Sequence, residues 1–289
     1  MVFMIEKGVS RMKKLEGKTV LITGGGRGMG RTHAQLMARE GASIVTCDIN
    51  HGYAHAGYSI NDPGDLAETT RLVEAEGAKC LSVYADVRDP QQLGDLVARG
   101  IDQFGQIDAV VANAGIQSYN TIDKMSDEEW RDVVDTNLTG VFNTLRAIAS
   151  HFIERKAGSF VATSSAIGRS GGGNMAGYAA SKWGVIGLIK NAAIELGRYN
   201  VRCNAVCPGY ISTPMINNDL LPHLYFPDHD NPTDEMVDEV LNTRFHFIPA
   251  GRIDPVEVAR VMVFLASDES RFISGSTIDV NAGGSATYT

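Results

Sequence analysis

Hydrophobic positions along the chain follow two periods: short apolar runs rich in β-branched residues, and longer stretches where apolar residues recur every third or fourth place. The first run, residues 18–23, meets a glycine cluster and then a helical pattern carrying Ala34, Leu36, Met37 and Ala38, which stops at Gly41. A strand is predicted over 42–48. After residues 50–63 the pattern resumes as a helix over 65–76 with Leu66, Leu72 and Val73 on one face. Strand 78–85 follows, then a helix opened by Asp89-Pro90 and ended by Gly105, then strand 107–112. Ser126 and Glu129 form a capping box that starts one long helix, running from Trp130 through Asn137 to Ile148. Next come strand 160–165, a glycine-rich loop 166–176, a helix through Trp183 and Ile194, and strand 201–206. A long excursion, 215–248, holds one short helix near 235–241. Asp254-Pro255 opens a helix through Ala266, and strand 277–280 is the last.

Strands alternate with helices throughout, and no composition break or repeat divides them. The pattern predicts an α/β fold with a single doubly wound parallel sheet and helices on both faces, spanning residues 15–289. Residues 1–14 read as a mobile N-terminal extension, in which Met12 offers an alternative start. Residues 50–63 read as an insertion, because a βαβ unit normally enters its helix within a few residues of the strand. Residues 214–248, with Leu220, Leu221, Leu224, Tyr225 and Phe226, read as a lid over an apolar substrate; a subunit contact is the other reading of the same apolar positions.

Charge and cysteines narrow the partners. A net charge of -8 without clustered Lys and Arg argues against a nucleic-acid partner and for a small molecule. Cys47, Cys80, Cys203 and Cys207 lack both CxxC spacing and a neighbouring His cluster, so no metal site is expected, and Cys203 and Cys207 are too far apart along one strand to bridge. The apolar runs are too short to span a bilayer, and Met1 to Ile5 is followed at once by Glu6 and Lys7 rather than a signal-peptide core. A cytoplasmic location is the expectation.

The candidate chemistry lies at the predicted carboxyl ends of the strands, where ligands of such sheets bind. Gly24, Gly28 and Gly30, with Arg27 and Met29 between them, form a turn through which a backbone approaches a diphosphate at a helix N-terminus. Asp48 ends the next strand, where a carboxylate binds a ribose 2′-hydroxyl and repels a 2′-phosphate; NAD is favoured over NADP, with Arg27 the dissenting cation. Asp86, the turn Asn113-Ala114-Gly115, Ser165 and Pro208-Gly209 fall at the same edge. Tyr178 and Lys182 stand four residues apart on one helix face. An ammonium about 4 Å from a phenol at an effective dielectric of about 20 is worth roughly 4 kcal/mol, which would make Tyr178 a usable base near neutral pH. Asn137 is a mid-helix amide suited to a buried polar partner.

Together these positions resemble the short-chain dehydrogenase/reductase family over residues 15–284. The turn Thr23 to Gly30, the Asn113-Ala114-Gly115 turn, Asn137, Ser165, the Tyr178 and Lys182 pair and Pro208-Gly209 carry the likeness; Ala112 stands where the family usually has an asparagine. The resemblance implies a Rossmann sheet and hydride transfer between a nicotinamide and a secondary alcohol or ketone. Tyr178 would exchange the proton, Ser165 would bond the substrate oxygen, Lys182 would hold the nicotinamide ribose, and Asn137 would anchor a water leading to solvent. Asp86 and Val87 would flank the adenine, and Ile211 and Thr213 would meet the carboxamide. The insertion, Asp62-Pro63-Gly64-Asp65-Leu66 and Asn231-Pro232-Thr233 are similar to the actinobacterial carveol-dehydrogenase-like branch. That branch implies a tightly held NAD covered by the insertion near its adenosine end, mycofactocin as electron acceptor and a carveol-like terpene alcohol, consistent with the apolar excursion; the family at large implies a homotetramer. An NADPH-dependent ketone reductase and a non-catalytic NAD-binding protein are the alternatives.

Overall fold

The computed structural model describes residues 13–53, 55–56, 58–60 and 62–287. Seven strands form one sheet: β1 (Thr19–Thr23), β2 (Ser43–Asp48), β3 (Cys80–Tyr84), β4 (Ala109–Ala112), β5 (Gly158–Thr163), β6 (Val201–Pro208) and β7 (Thr277–Val280). Their order is β3-β2-β1-β4-β5-β6-β7 and every pair is parallel. β1 and β4 are buried along their whole length, as strands covered on both faces must be.

The helices are α1 (Gly28–Arg39), α2 (Asp65–Ala75), α3 (Pro90–Phe104), α4 (Asp127–Val134), α5 (Gly140–Arg155), α6 (Ala176–Gly197), α7 (Leu220–Tyr225), α8 (Asp234–Val240) and α9 (Pro255–Ala266). On one face of the sheet α3, α5 and α6 bury Leu93, Leu96, Ile148, Phe152, Val185 and Ile189. On the other, α1 and α9 bury Ala34, Met37, Val258 and Met262. Because β1 lies between β2 and β4, the chain winds outward from it in both directions, and the crevice this leaves opens above the carboxyl ends of β1 and β4.

Capping follows the sequence closely. Asp89 accepts from the N–H groups of Gln91 and Gln92, and Asp254 from that of Val256. Ser126 caps Glu129 N–H, but the Glu129 carboxylate turns instead to Asn120 Nδ2 at 3.2 Å, so the predicted box is half formed.

Two expectations change. The long helix from Trp130 to Ile148 is two helices joined by a π-helical turn, Asp135–Thr139, which contains Asn137. The excursion holds two helices rather than one, α7 and α8, followed by a second π turn, Leu241–Phe245; Leu221, Val237 and Leu241 bury one another there as a small core of their own. Of the mobile extension read over residues 1–14, residues 1–12 lie outside the described residues. Lys14 is tied down: its N–H meets Glu40 Oε2 at 3.1 Å and its ammonium meets Glu269 at 2.6 Å. All four cysteines are free.

Candidate active site

The glycine turn shows why its residue types are needed. Gly24 has φ of +66°, and a Cβ there would stand 2.7 Å from Ala114 Cα; a Cβ on Gly30 would stand 2.0 Å from the Gly24 carbonyl oxygen. The start of α1 therefore packs directly on the end of β1. Arg27 precedes it in extended conformation with no side-chain cap, which leaves the first N–H groups of α1 facing the crevice. Asn113 braces the opposite wall, its Nδ2 donating to the carbonyls of Thr23 and Gly24 at 3.2 Å, while Thr23 Oγ1 accepts from the N–H groups of Asn113 and Ala114.

Asp48 lies at the same mouth. Its carboxylate accepts from Gly26 N at 2.7 Å and from Ile49 N at 2.8 Å, yet burial is the larger effect and raises its pKa. Arg27 is not a free cation: it is paired with Asp62, donates to Asp65 Oδ2 at 2.8 Å and to the Ser59 carbonyl at 2.8 Å. Burial pushes Asp86 up, but the bonds from Arg88 overcome this and hold the carboxyl below its ordinary value.

These residues line one continuous groove. Gly24, Arg27, Gly28, Met29, Asp48, Asp86, Val87, Asn113, Ala114, Gly115 and Thr213 all contribute to its wall. Gly30, Pro208, Gly209 and Ile211 do not; they act from behind. Ile211 is buried in the core beside Ile253, and a Cβ on Gly209 would stand 2.9 Å from that of Asn281.

Behind Gly115 stand the side chains expected to handle the proton. β5 ends at Thr163, and Ser165 caps the short 3-10 turn Ala166–Arg169 by accepting from Ile167 N at 3.2 Å. From α6, Tyr178 and Lys182 come in almost fully buried, at 9% and 3% exposed. Lys182 Nζ donates to the Thr163 carbonyl at 2.9 Å and lies 5.6 Å from the centre of the Tyr178 ring. Burial lowers the Lys182 pKa to about 8 and raises that of Tyr178, which Ser165 pulls partly back. The expected depression of Tyr178 by Lys182 is thus corrected: the ammonium is turned to a carbonyl, and desolvation of the phenol dominates.

Asn137 is fully buried. Its Oδ1 accepts from Ile116 N at 2.8 Å, and its Nδ2 donates to Ile116 O at 2.9 Å and to Ser181 Oγ at 3.2 Å. The π turn tips this side chain out of the helix axis and toward β4, next to Lys182: a Cβ on Gly115 would sit 3.1 Å from Asn137 Oδ1 and 3.4 Å from Lys182 Nζ.

A sequence profile described as short chain dehydrogenase matches residues 18–221. The chain belongs to the short-chain dehydrogenase family. It is 38% identical over 274 residues to the (-)-trans-carveol dehydrogenase of Rhodococcus erythropolis, covering 94% of this chain and 99% of that one. It is also 38% identical to an uncharacterized NAD-dependent oxidoreductase of Mycobacterium tuberculosis, over 95% of this chain and 98% of the other. Among solved structures, carveol dehydrogenase from Mycobacterium avium in complex with NAD superposes with a TM-score of 0.92 at 38% identity, covering 95% of this chain and all of its own.

In this short-chain dehydrogenase the insertion does more than sequence reasoning allowed. Tyr53, Tyr58 and Ile60 line the groove, and Tyr53 and Ile60 pack against the cluster of Ile116, Val133 and Tyr178. The insertion therefore runs from the Asp86 end to the catalytic end, rather than lying near the adenosine end alone. Thr136 and Ile49 also line the groove and were missed, having no signal beyond proximity to Asn137 and Asp48. Thr69 and Arg31, equally unsignalled, brace the glycine turn by donating to the carbonyl of Gly26.

Proposed function

We propose that the protein is an NAD-dependent dehydrogenase that interconverts a hydrophobic secondary alcohol, of the carveol-like terpene class, and its ketone. The observation that carries this reading is a groove lined from Asp48 to Gly115 and Ile116, with Lys182 directly behind Gly115 and Tyr178 packed on Ile116. The cradle fits a dinucleotide: it admits no Cβ at Gly24 or Gly30, and its acidic mouth, with Arg27 already held by two carboxylates, suits a free ribose 2′-hydroxyl and not a phosphate. This removes the one support for the NADPH-dependent reductase. The first N–H groups of α1 would hold the diphosphate, Asp48 the adenosine ribose, Asp86 and Val87 the adenine, and Thr213 the carboxamide.

A bound oxidised nicotinamide would supply the hydride acceptor for the carbinol carbon and a positive charge that favours the Tyr178 phenolate. Tyr178 accepts the hydroxyl proton as the C–H bond breaks, and Ser165 donates to the developing carbonyl oxygen. Lys182, cationic below about pH 8 and bonded to the Thr163 carbonyl, would hold the nicotinamide ribose. Asn137 fixes Ile116 and so the wall opposite Lys182. A protein that only bound NAD would have no use for a buried lysine and a buried tyrosine facing one serine.

The finer parts of the reading are a homotetramer, a cytoplasmic location and re-oxidation of the cofactor in place through mycofactocin. Support comes from exposed Trp130, Phe142, Trp183 and Ile194 on α4 to α6, from four unpaired cysteines, and from the insertion over the groove. The decisive experiment is Tyr178→Phe assayed on cyclic secondary alcohols with NAD and an artificial electron acceptor. Loss of turnover by about 10²- to 10⁴-fold with NAD binding retained is the expected result; turnover at the wild-type rate would sink the reading.

A further inference from the structure

The insertion carries a tyrosine that the reaction as described does not use. Tyr58 lines the groove, and its hydroxyl oxygen accepts from the backbone N–H of Gln117 at 3.2 Å. Its own hydrogen meets no acceptor among the described residues, although burial raises the phenol's pKa and keeps that hydrogen in place. Tyr58 is half-buried, so a ligand that fills the groove strips water from this hydrogen and must supply the acceptor in its place.

Its surroundings say where that acceptor lies. Tyr58 shares the groove wall with Arg27 and Gly28, at the glycine turn, and with Ile116, which packs on Tyr178. The segment bearing it is anchored on both sides. Tyr53 bonds Thr136 Oγ1 at 3.0 Å with the Arg88 guanidinium 4.6 Å above its ring, while Ser59 holds Arg27 through its carbonyl. Tyr58 is thus held between the glycine turn, through Ser59 and Arg27, and the Ile116-Gln117 segment past the Asn113-Ala114-Gly115 turn. The middle of an extended dinucleotide is its diphosphate, the one part with unshielded anionic oxygens. Arg27 is committed to Asp62 and Asp65 and cannot neutralise it.

We propose that Tyr58 is a cofactor-positioning residue, its hydroxyl donating to the diphosphate from the side opposite the N-terminus of α1 and its oxygen held in place by Gln117. Neutral donors from two walls then grip the diphosphate, one set on the scaffold and one on the insertion. The inference rests on the NAD reading above.

Tyr58→Phe, titrated calorimetrically with NAD, ADP-ribose and adenosine, tests it. The expected result is a Kd about 10-fold higher for NAD and for ADP-ribose, as for loss of one hydrogen bond to a charged group, with the Kd for adenosine and the melting temperature unchanged. Equal losses for all three ligands would show that the variant merely disturbs the insertion and would overturn the proposal, as would unchanged affinity for NAD. A wild-type chain that binds no NAD would overturn the cofactor reading itself, whereas wild-type binding with an indifferent variant overturns only the role of Tyr58.

Discussion

At the scale of single residues, chemistry here is set by what burial leaves unpaired. Lys182 and Tyr178 would each titrate near 10 in water, but burial strips their solvent and moves them apart, the lysine down and the phenol up. His33 shows the same force without a catalytic purpose. It is fully buried on α1, neither ring nitrogen has a hydrogen-bond partner among the described residues, and burial lowers its pKa to about 3. In the unfolded chain its value returns to 6.5. Below that pH the unfolded state takes up a proton that the folded state refuses, so stability present above pH 6.5 drains away as pH falls toward 3. Between pH 6.5 and 5 the loss is about 2 kcal/mol. Urea denaturation across this range should show a steeper loss for the wild type than for His33→Leu by about that amount; identical slopes would contradict the assignment.

Among elements, the π turn at Asp135–Thr139 is the clearest case of local geometry serving a site. An asparagine inside a regular helix gains little, and sequence reasoning could only mark Asn137 as waiting for a partner. With one extra residue in the turn, its amide meets both backbone groups of Ile116, just past the Asn113-Ala114-Gly115 turn. Asn137→Ala strands a buried N–H and a buried carbonyl, and is expected to cost about 3 kcal/mol in chemical denaturation while lowering turnover. Retained stability together with full activity would show that the turn does not depend on this contact. Strand ends and caps were legible because each has a local cause: Asp89 and Asp254 before proline, Gly105 after the last apolar position of α3. The second π turn, Leu241–Phe245, and α7 were not, since Leu220, Leu221 and Leu224 lack a second turn of pattern from which a period can be read.

For the whole molecule, the sheet order decides the function, because reversal of winding at β1 opens the crevice into which five strand ends deliver their side chains. The outer faces of α4 to α6 carry another message. Trp183 is 52% and Ile194 is 81% exposed, unusual for such residues in a chain that works alone. Native mass spectrometry is expected to find four copies with NAD retained, and Ile194→Glu, which disturbs nothing within one chain, is expected to yield smaller assemblies of unchanged melting behaviour at low concentration. An unaltered tetramer in that variant would place the interface elsewhere.

The sequence by itself determined the alternation of strands and helices, the glycine turn, the acidic residue at Asp48 and the four-residue spacing of Tyr178 and Lys182, because each depends on residue type at short spacing. Only the tertiary structure decided that Arg27 is spoken for by Asp62 and Asp65, that the Lys182 ammonium bonds the Thr163 carbonyl, and that Tyr58 lines the groove with its oxygen held by Gln117. These outcomes depend on segments far apart in the chain competing for the same donors, and on how deeply each charge is withdrawn from water. Neither quantity has a local sequence signature.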